Sequence, residues 1–77
     1  MSKVIDFLIH LKQLEQPKTI EQMKRLNSGL YCDVIQECID KKDIIVVGKT
    51  ALGIETYWLS DFAQKAVEKE IKNRNDK

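Results

Sequence analysis

The sequence predicts an α+β domain in which four helices accompany one β-hairpin. Apolar residues recur at helical spacing in four stretches, at about residues 3–15, 19–26, 29–40 and 61–72. Between the last two stretches, the β-branched run Ile44–Val47 and the alternating segment Ile54–Leu59 flank a short, glycine-bounded connection. We therefore expect one domain covering residues 1–77, with the hairpin at about 44–59.

The first helix is predicted by apolar residues that share one face and by the proline that follows it. Ser2 is a candidate N-cap, and Pro17 disfavours helical backbone at the residue before it. Ile5 and Ile9 form a second, narrower stripe one turn apart. The main stripe consists of Val4, Phe7, Leu8, Leu11 and Leu14.

The next two helices are predicted to be short and joined by a tight turn. Thr19 and Gln22 have the spacing of a capping box at the start of the second helix. The turn is Asn27-Ser28-Gly29, whose residues tolerate or favour non-helical backbone. The expected buried side of the third helix is Leu30, Val34, Ile35, Cys38 and Ile39.

The hairpin is predicted to have a buried first strand and a small basic tip at Lys49. Its second strand places Ile54, Thr56 and Trp58 on one face, and Tyr57 and Leu59 on the other. Ser60 is expected to cap the last helix, and the tail from Asn73 to be frayed. The apolar stripe of that helix is Phe62, Ala63, Ala66, Val67 and Ile71.

Three segments together resemble the winged helix-turn-helix superfamily, in the style of small prokaryotic or viral repressors. Thr19–Ser28 is similar to its second helix and turn, and Ile35–Ile45 to its recognition helix running into a Gly-Leu-Ile motif. Tyr57–Ala63 is similar to the Tyr-x-Leu-Thr-x-x-Gly exit from its wing. Asp43 stands where the superfamily often has glycine, and we expect this aspartate to adopt the left-handed cap. The resemblance covers nearly the whole chain.

The resemblance implies that the chain binds double-stranded DNA and regulates transcription as a homodimer. The expected DNA contacts lie on the second helix, the turn, the start of the third helix and the wing tip. Surface charges often have no specific partner, and Tyr31, like Trp58, is at least as well explained as a core aromatic. The candidate DNA-binding residues are Lys18, Lys24, Arg25, Asn27, Ser28, Gly29, Tyr31, Cys32, Gln36, Lys49 and Thr50.

The third helix carries an acidic face, which supports an alternative function. Asp33, Glu37 and Asp40 cluster with Gln36 on the side away from its apolar residues, and phosphates would repel those carboxylates. The formal net charge of the chain is only +1, and no segment forms a basic arm. The alternative is a winged-helix module that binds protein through this face.

Catalysis and cofactor or metal binding are not expected. No nucleophile with a base, carboxylate pair or phosphate-binding loop recurs at catalytic spacing, so the chain does not resemble an enzyme. Cys32 and Cys38 point to different sides of a helix, and His10 is the only histidine, which leaves no zinc ligand set. The longest uncharged apolar run is Ile44–Val47, so we expect a cytoplasmic protein with no membrane segment.

A homodimer is expected because a core of this size is marginal and one small domain covers few base pairs. The proposed dimer interface joins the Ile5 and Ile9 stripe to the outer side of the last helix, around Val67 and Ile71. The alternative, nearly equal in weight, is that these residues close the core of the monomer.

Overall fold

A computed structural model describes residues 3–75 and confirms the α+β class. Ser2, the candidate N-cap, lies outside the described residues, as do Asp76 and Lys77 in the tail. Four α-helices and one antiparallel hairpin make up the described chain. In order they are α1 (Lys3–Gln13), α2 (Ile20–Arg25), α3 (Cys32–Asp40), β1 (Ile44–Lys49), β2 (Glu55–Leu59) and α4 (Asp61–Asn75).

The outer helices α1 and α4 pack against each other, and both end at places that differ from the prediction. α1 stops at Gln13 because Glu15 adopts a left-handed φ of 60° and its N–H donates to the Lys12 carbonyl, 3.1 Å away. α4 continues to Asn75, so residues predicted to fray are helical. Within residues 3–75, no helix combines the length and apolar character needed to cross a bilayer.

The predicted capping box at the start of α2 is confirmed. The Gln22 N–H donates to Thr19 Oγ1 at 3.2 Å, and the Thr19 N–H donates to Gln22 Oε1 at 3.0 Å. Both bonds satisfy backbone N–H groups that the first turn of a helix leaves without partners. The cap therefore fixes where this six-residue helix begins.

α3 begins later than predicted and ends in a different left-handed residue. Leu30 lies in the turn before α3 and is 48% exposed, so the prediction that it is buried was wrong. At the other end, Lys42 rather than Asp43 adopts positive φ, at 64°. The Asp43 N–H donates to the Cys38 carbonyl at 2.8 Å, and the Lys42 N–H donates to the Ile39 carbonyl at 3.1 Å. These two bonds form a Schellman motif.

The hairpin is more exposed than predicted. Ile44 is buried, but Ile45, Val46 and Val47 are 40%, 44% and 48% exposed, so β1 is not a buried strand. The pairing shifts between Val46 and Gly48, which leaves Val47 as an extra residue in a β-bulge. Ile54 lies outside β2 and is half exposed, so the tip carries exposed apolar side chains beside Lys49.

One apolar core joins all the elements. Its fully buried members include Phe7, Leu11, Met23, Ile44, Leu59, Val67 and Cys38. Ile9 and Val67, assigned by prediction to a dimer interface, are 8% and 0% exposed and belong to this core. Ile5 and Ile71 pack half-buried against it. Phe62 was predicted to be part of the apolar stripe but is 70% exposed.

Candidate nucleic-acid interface

The turn between α2 and α3 is built from three consecutive left-handed residues. Asn27 and Ser28 have φ values of 48° and 57°, and Gly29 has φ 86°. The Leu30 N–H donates to the Asn27 carbonyl at 3.2 Å and closes the turn. The side chains of Asn27 and Ser28 are exposed, so both project into solvent where the resemblance expects a DNA contact.

A hydrogen bond ties the turn to both helices. Cys32 Sγ donates to the carbonyl of Lys24 at 3.3 Å, joining the first residue of α3 to the last turn of α2. A Cβ built on Gly29 would stand 3.7 Å from each of these two atoms, which is ordinary van der Waals contact. The exposed Cys32 thiol therefore already has a hydrogen-bond acceptor inside the protein.

The basic side chains of α2 lie next to this turn. Lys24 and Arg25 are exposed in the last turn of α2, where a cation also complements the helix dipole. Neither forms an ion pair with any residue of the described chain. They are available to an anionic partner.

Lys18 connects this region to the hairpin. Its N–H donates to the Tyr57 carbonyl at 3.1 Å, and its carbonyl accepts from the Tyr57 N–H at 2.8 Å. Residues directly opposite in an antiparallel pair project from the same face, as do residues two apart on one strand. Since Glu55 pairs with Lys49, the side chains of Lys18 and Lys49 project from one face of the sheet.

The wing tip is organised by Thr50. Its Oγ1 accepts hydrogen bonds from the N–H groups of Leu52 and Ile54, each at 3.2 Å. The Thr50 N–H donates to the Ile54 carbonyl at 2.8 Å, and the Thr50 carbonyl accepts from the Gly53 N–H at 2.9 Å. Thr50 therefore shapes the loop that follows Lys49, and its hydroxyl oxygen already accepts two bonds inside the protein.

The predicted contacts on α3 are less uniform. Tyr31 is 6% exposed, with its ring 5.4 Å from Phe7 and 5.8 Å from His10, centroid to centroid, which places it in the core as the alternative expected. Gln36 is exposed and donates to Asp40 Oδ1 at 2.9 Å. The structure thus brings Gln36 to the surface and removes the Tyr31 ring from it.

Two of the three carboxylates of α3 are paired with cations of the same molecule. Asp33 accepts from Lys3 Nζ at 3.0 Å, and Glu37 from Lys41 Nζ at 3.3 Å. The hydrogen bond from Lys3 lowers the pKa of the Asp33 carboxyl, which keeps it ionised. These pairs partly neutralise the acidic face that α3 presents to solvent.

Sequence reasoning missed the apolar surface of the wing. Ile45, Val46, Val47 and Ile54 are all at least 40% exposed, and Leu52 at the tip is 87% exposed. Gly48 was the available signal, because a glycine inside a strand often marks a bulge. Ile45 pairs with Trp58 on the face opposite Ile44, so ordinary alternation exposes it, and the bulge at Val47 interrupts the alternation only beyond Val46.

Comparisons with family models, with curated proteins and with solved structures find no match for this chain.

Proposed function

We propose that this chain is a winged helix-turn-helix domain that binds double-stranded DNA as a transcription regulator. The observation that carries the proposal is the pair Lys24 and Arg25, exposed, without ion pairs in the described chain, and adjacent to the Asn27–Gly29 turn. Phosphate contacts by such side chains supply most of the affinity of proteins for duplex DNA. The order of helices, turn and hairpin is compatible with this fold.

The two sheet cations are unequal candidates for a phosphate contact. Lys18 and Lys49 project from the face on which Tyr57 and Leu59 are buried. Lys18 is half-buried, whereas Lys49 is exposed near the tip of the hairpin. Lys49 is therefore the cation of the sheet that supports the proposal.

The salt dependence of binding to a random-sequence DNA duplex tests this function. Lys24→Ala/Arg25→Ala should weaken binding and lower the slope of log affinity against log salt by about two units, one for each phosphate contact. Lys65→Ala/Lys69→Ala is the matched control, because these exposed α4 cations form no ion pair in the described chain.

Wild-type protein without measurable duplex binding at low salt would refute the proposal. Equal losses in the two double variants would also refute it, because they would indicate that only net charge matters.

A second candidate function, protein binding, is favoured by the exposed face of α3. Asp33, Gln36, Glu37 and Asp40 are all exposed, and α3 contains no basic residue. Such a face suits a basic protein partner better than a phosphate backbone. Neutralising Asp33 and Glu37 distinguishes the two functions.

A further inference from the structure

The outer edge of β1 is a surface that the proposed DNA contacts do not use. β2 lies between β1 and the bridge at Lys18, so among residues 3–75 β1 has a strand neighbour on one side only. Ile45, Val46 and Val47 are each at least 40% exposed, and the segment Ile44–Val47 contains no charged residue. Proteins generally protect edges of this composition with charges, prolines or a covering element.

The direction of the backbone groups of β1 follows from the bonds around it. Tyr57 exchanges both of its backbone hydrogen bonds with Lys18, so its N–H and carbonyl point away from β1. Val46, directly opposite Tyr57, then belongs to a non-hydrogen-bonded pair, and its own N–H and carbonyl point to the open edge. The Ser60 N–H donates to the Asp43 carbonyl at 2.9 Å, so Asp43 and Ser60 form a hydrogen-bonded pair. Because hydrogen-bonded and non-hydrogen-bonded pairs alternate along the ladder, the N–H and carbonyl of Ile44 also point to the open edge.

These outward groups are self-complementary. When two β1 strands approach in antiparallel orientation about a two-fold axis at Ile45, Ile44 of each copy faces Val46 of the other. Each such pair can exchange both N–H···O bonds, and the two Ile45 side chains meet between them. The bulge at Val47 ends the match and bends the rest of the strand away, so pairing is confined to the uncharged segment.

A strand pairing of this length forms only a small interface. It offers four backbone hydrogen bonds, two from each Ile44–Val46 pair, and the contact between the two Ile45 side chains. Small interfaces are weak, so we expect a dimer of low affinity.

We propose that β1 pairs with β1 of a second copy of this chain, forming a continuous antiparallel sheet across a weak homodimer. This interface replaces the helical one predicted from sequence, two of whose residues lie in the core. It is independent of the proposed DNA binding, which uses α2, the turn and the far end of the hairpin.

Sedimentation equilibrium between about 10 µM and about 500 µM tests the proposal, with dimer expected to accumulate over this range. Ile45→Lys should raise the dimer dissociation constant by about tenfold or more, because it places two like charges at the axis. Val46→Pro should do the same by removing an N–H that β2 does not use. Phe62→Lys, at an exposed apolar site on α4, is the control and should leave the dimer intact.

Two further measurements keep folding and association apart. Far-UV circular dichroism of each variant at low concentration checks that the monomer folds. Trp58, the only tryptophan, lies directly opposite Ile45, so its emission should shift on dilution of the wild type and stay constant in Ile45→Lys. A wild type that stays monomeric at about 500 µM overturns the proposal, as does a dimer that survives both β1 substitutions or is lost equally in Phe62→Lys.

Discussion

Several residues other than glycine adopt left-handed backbone, and each does so where the chain changes direction. Glu15 follows α1, Asn27 and Ser28 form the turn before α3, and Lys42 follows α3. A side chain in this region costs on the order of 1 kcal/mol, except that asparagine tolerates it better. At Lys42 the cost is offset by the Schellman bonds from Asp43 and Lys42 to the end of α3.

Lys42→Gly should therefore raise the free energy of unfolding by about 0.5 kcal/mol, since strain relief exceeds the added entropy of the unfolded chain. Urea denaturation measures the change. Lys65→Gly, in the interior of α4 at an equally exposed lysine, is the control and should destabilise by about 1 kcal/mol. If both glycines destabilise alike, the conformation at Lys42 is not strained.

The buried Cys38 thiol is expected to make the free energy of unfolding fall as the pH rises into the alkaline range. Burial, followed by the nearby Asp43 and Glu37 carboxylates, raises its pKa from 9.0 to about 12. The unfolded thiol ionises above pH 9.0 while the folded one stays protonated, so its contribution to stability is full below pH 9.0 and is lost between 9.0 and about 12.

At one pH unit above the unfolded pKa, the loss should be on the order of 1.4 kcal/mol. The useful quantity is the difference between the stabilities of the wild type and Cys38→Ala as a function of pH, because contributions shared by the two proteins cancel in it. That difference should shrink as the pH rises. Parallel profiles would show that the folded thiol ionises normally.

At the scale of elements, α2 depends on its cap because a helix of six residues is too short to be stable alone. Thr19→Ala removes the acceptor for the Gln22 N–H and should lower the free energy of unfolding by about 1 kcal/mol. Gln13→Ala, at an exposed glutamine in α1, is the control and should change stability little. A Thr19→Ala effect no larger than the control would contradict a stabilising role for the cap.

The cap also shows which features could be predicted from sequence. A capping box depends on two residues three positions apart, so Thr19 and Gln22 sufficed to place the start of α2. The burial of β1 depends on which face packs against the helices, and β-branched composition alone carries no such information. Ile45, Val46 and Val47 were therefore expected in the core, whereas Ile45 lies on the outer face by alternation and the bulge interrupts the pairing only after Val46.

In the candidate interface, too, features set by local sequence could be predicted and features set by distant contacts could not. The cations Lys24 and Arg25 and the turn after them could be located from local sequence. The ion pair between Lys3 and Asp33 could not, because it joins residues far apart in the chain. The position of the left-handed cap was missed by one residue, since both Lys42 and Asp43 lie where α3 ends and only the closing bonds decide between them.

At the scale of the whole molecule, ion pairs link the helices of the described chain and leave the cations of α2 unpaired. Ion pairs join α1 to α3 through Lys3 and Asp33, and α1 to α4 through Lys12 and Glu68 at 3.2 Å. Exposed pairs of this kind contribute little stability, about 0–1 kcal/mol each. Their larger effect is on the field around the protein, because they neutralise carboxylates near α3 while Lys24 and Arg25 stay unpaired on α2 within the described chain.

The double variant Asp33→Asn/Glu37→Gln tests whether the electrostatic field near α3 affects binding to DNA. The double variant removes two negative charges, raising the formal net charge from +1 to +3, and it releases Lys3 and Lys41 from their ion pairs. If α3 approaches DNA, affinity for a random duplex should increase about tenfold at low salt, and the increase should diminish at high salt.

Glu68→Gln/Glu70→Gln on α4 is the matched control, since it changes the net charge equally and also removes two ion pairs, those with Lys12 and Arg74. A gain confined to the α3 variant places the α3 face near phosphate. Equal gains in both variants would indicate only a long-range effect of net charge and would remove α3 from the interface. If duplex binding stays unmeasurable in every variant while the α3 substitutions abolish binding of a basic protein partner, the acidic face is a protein-binding surface and the DNA proposal is wrong.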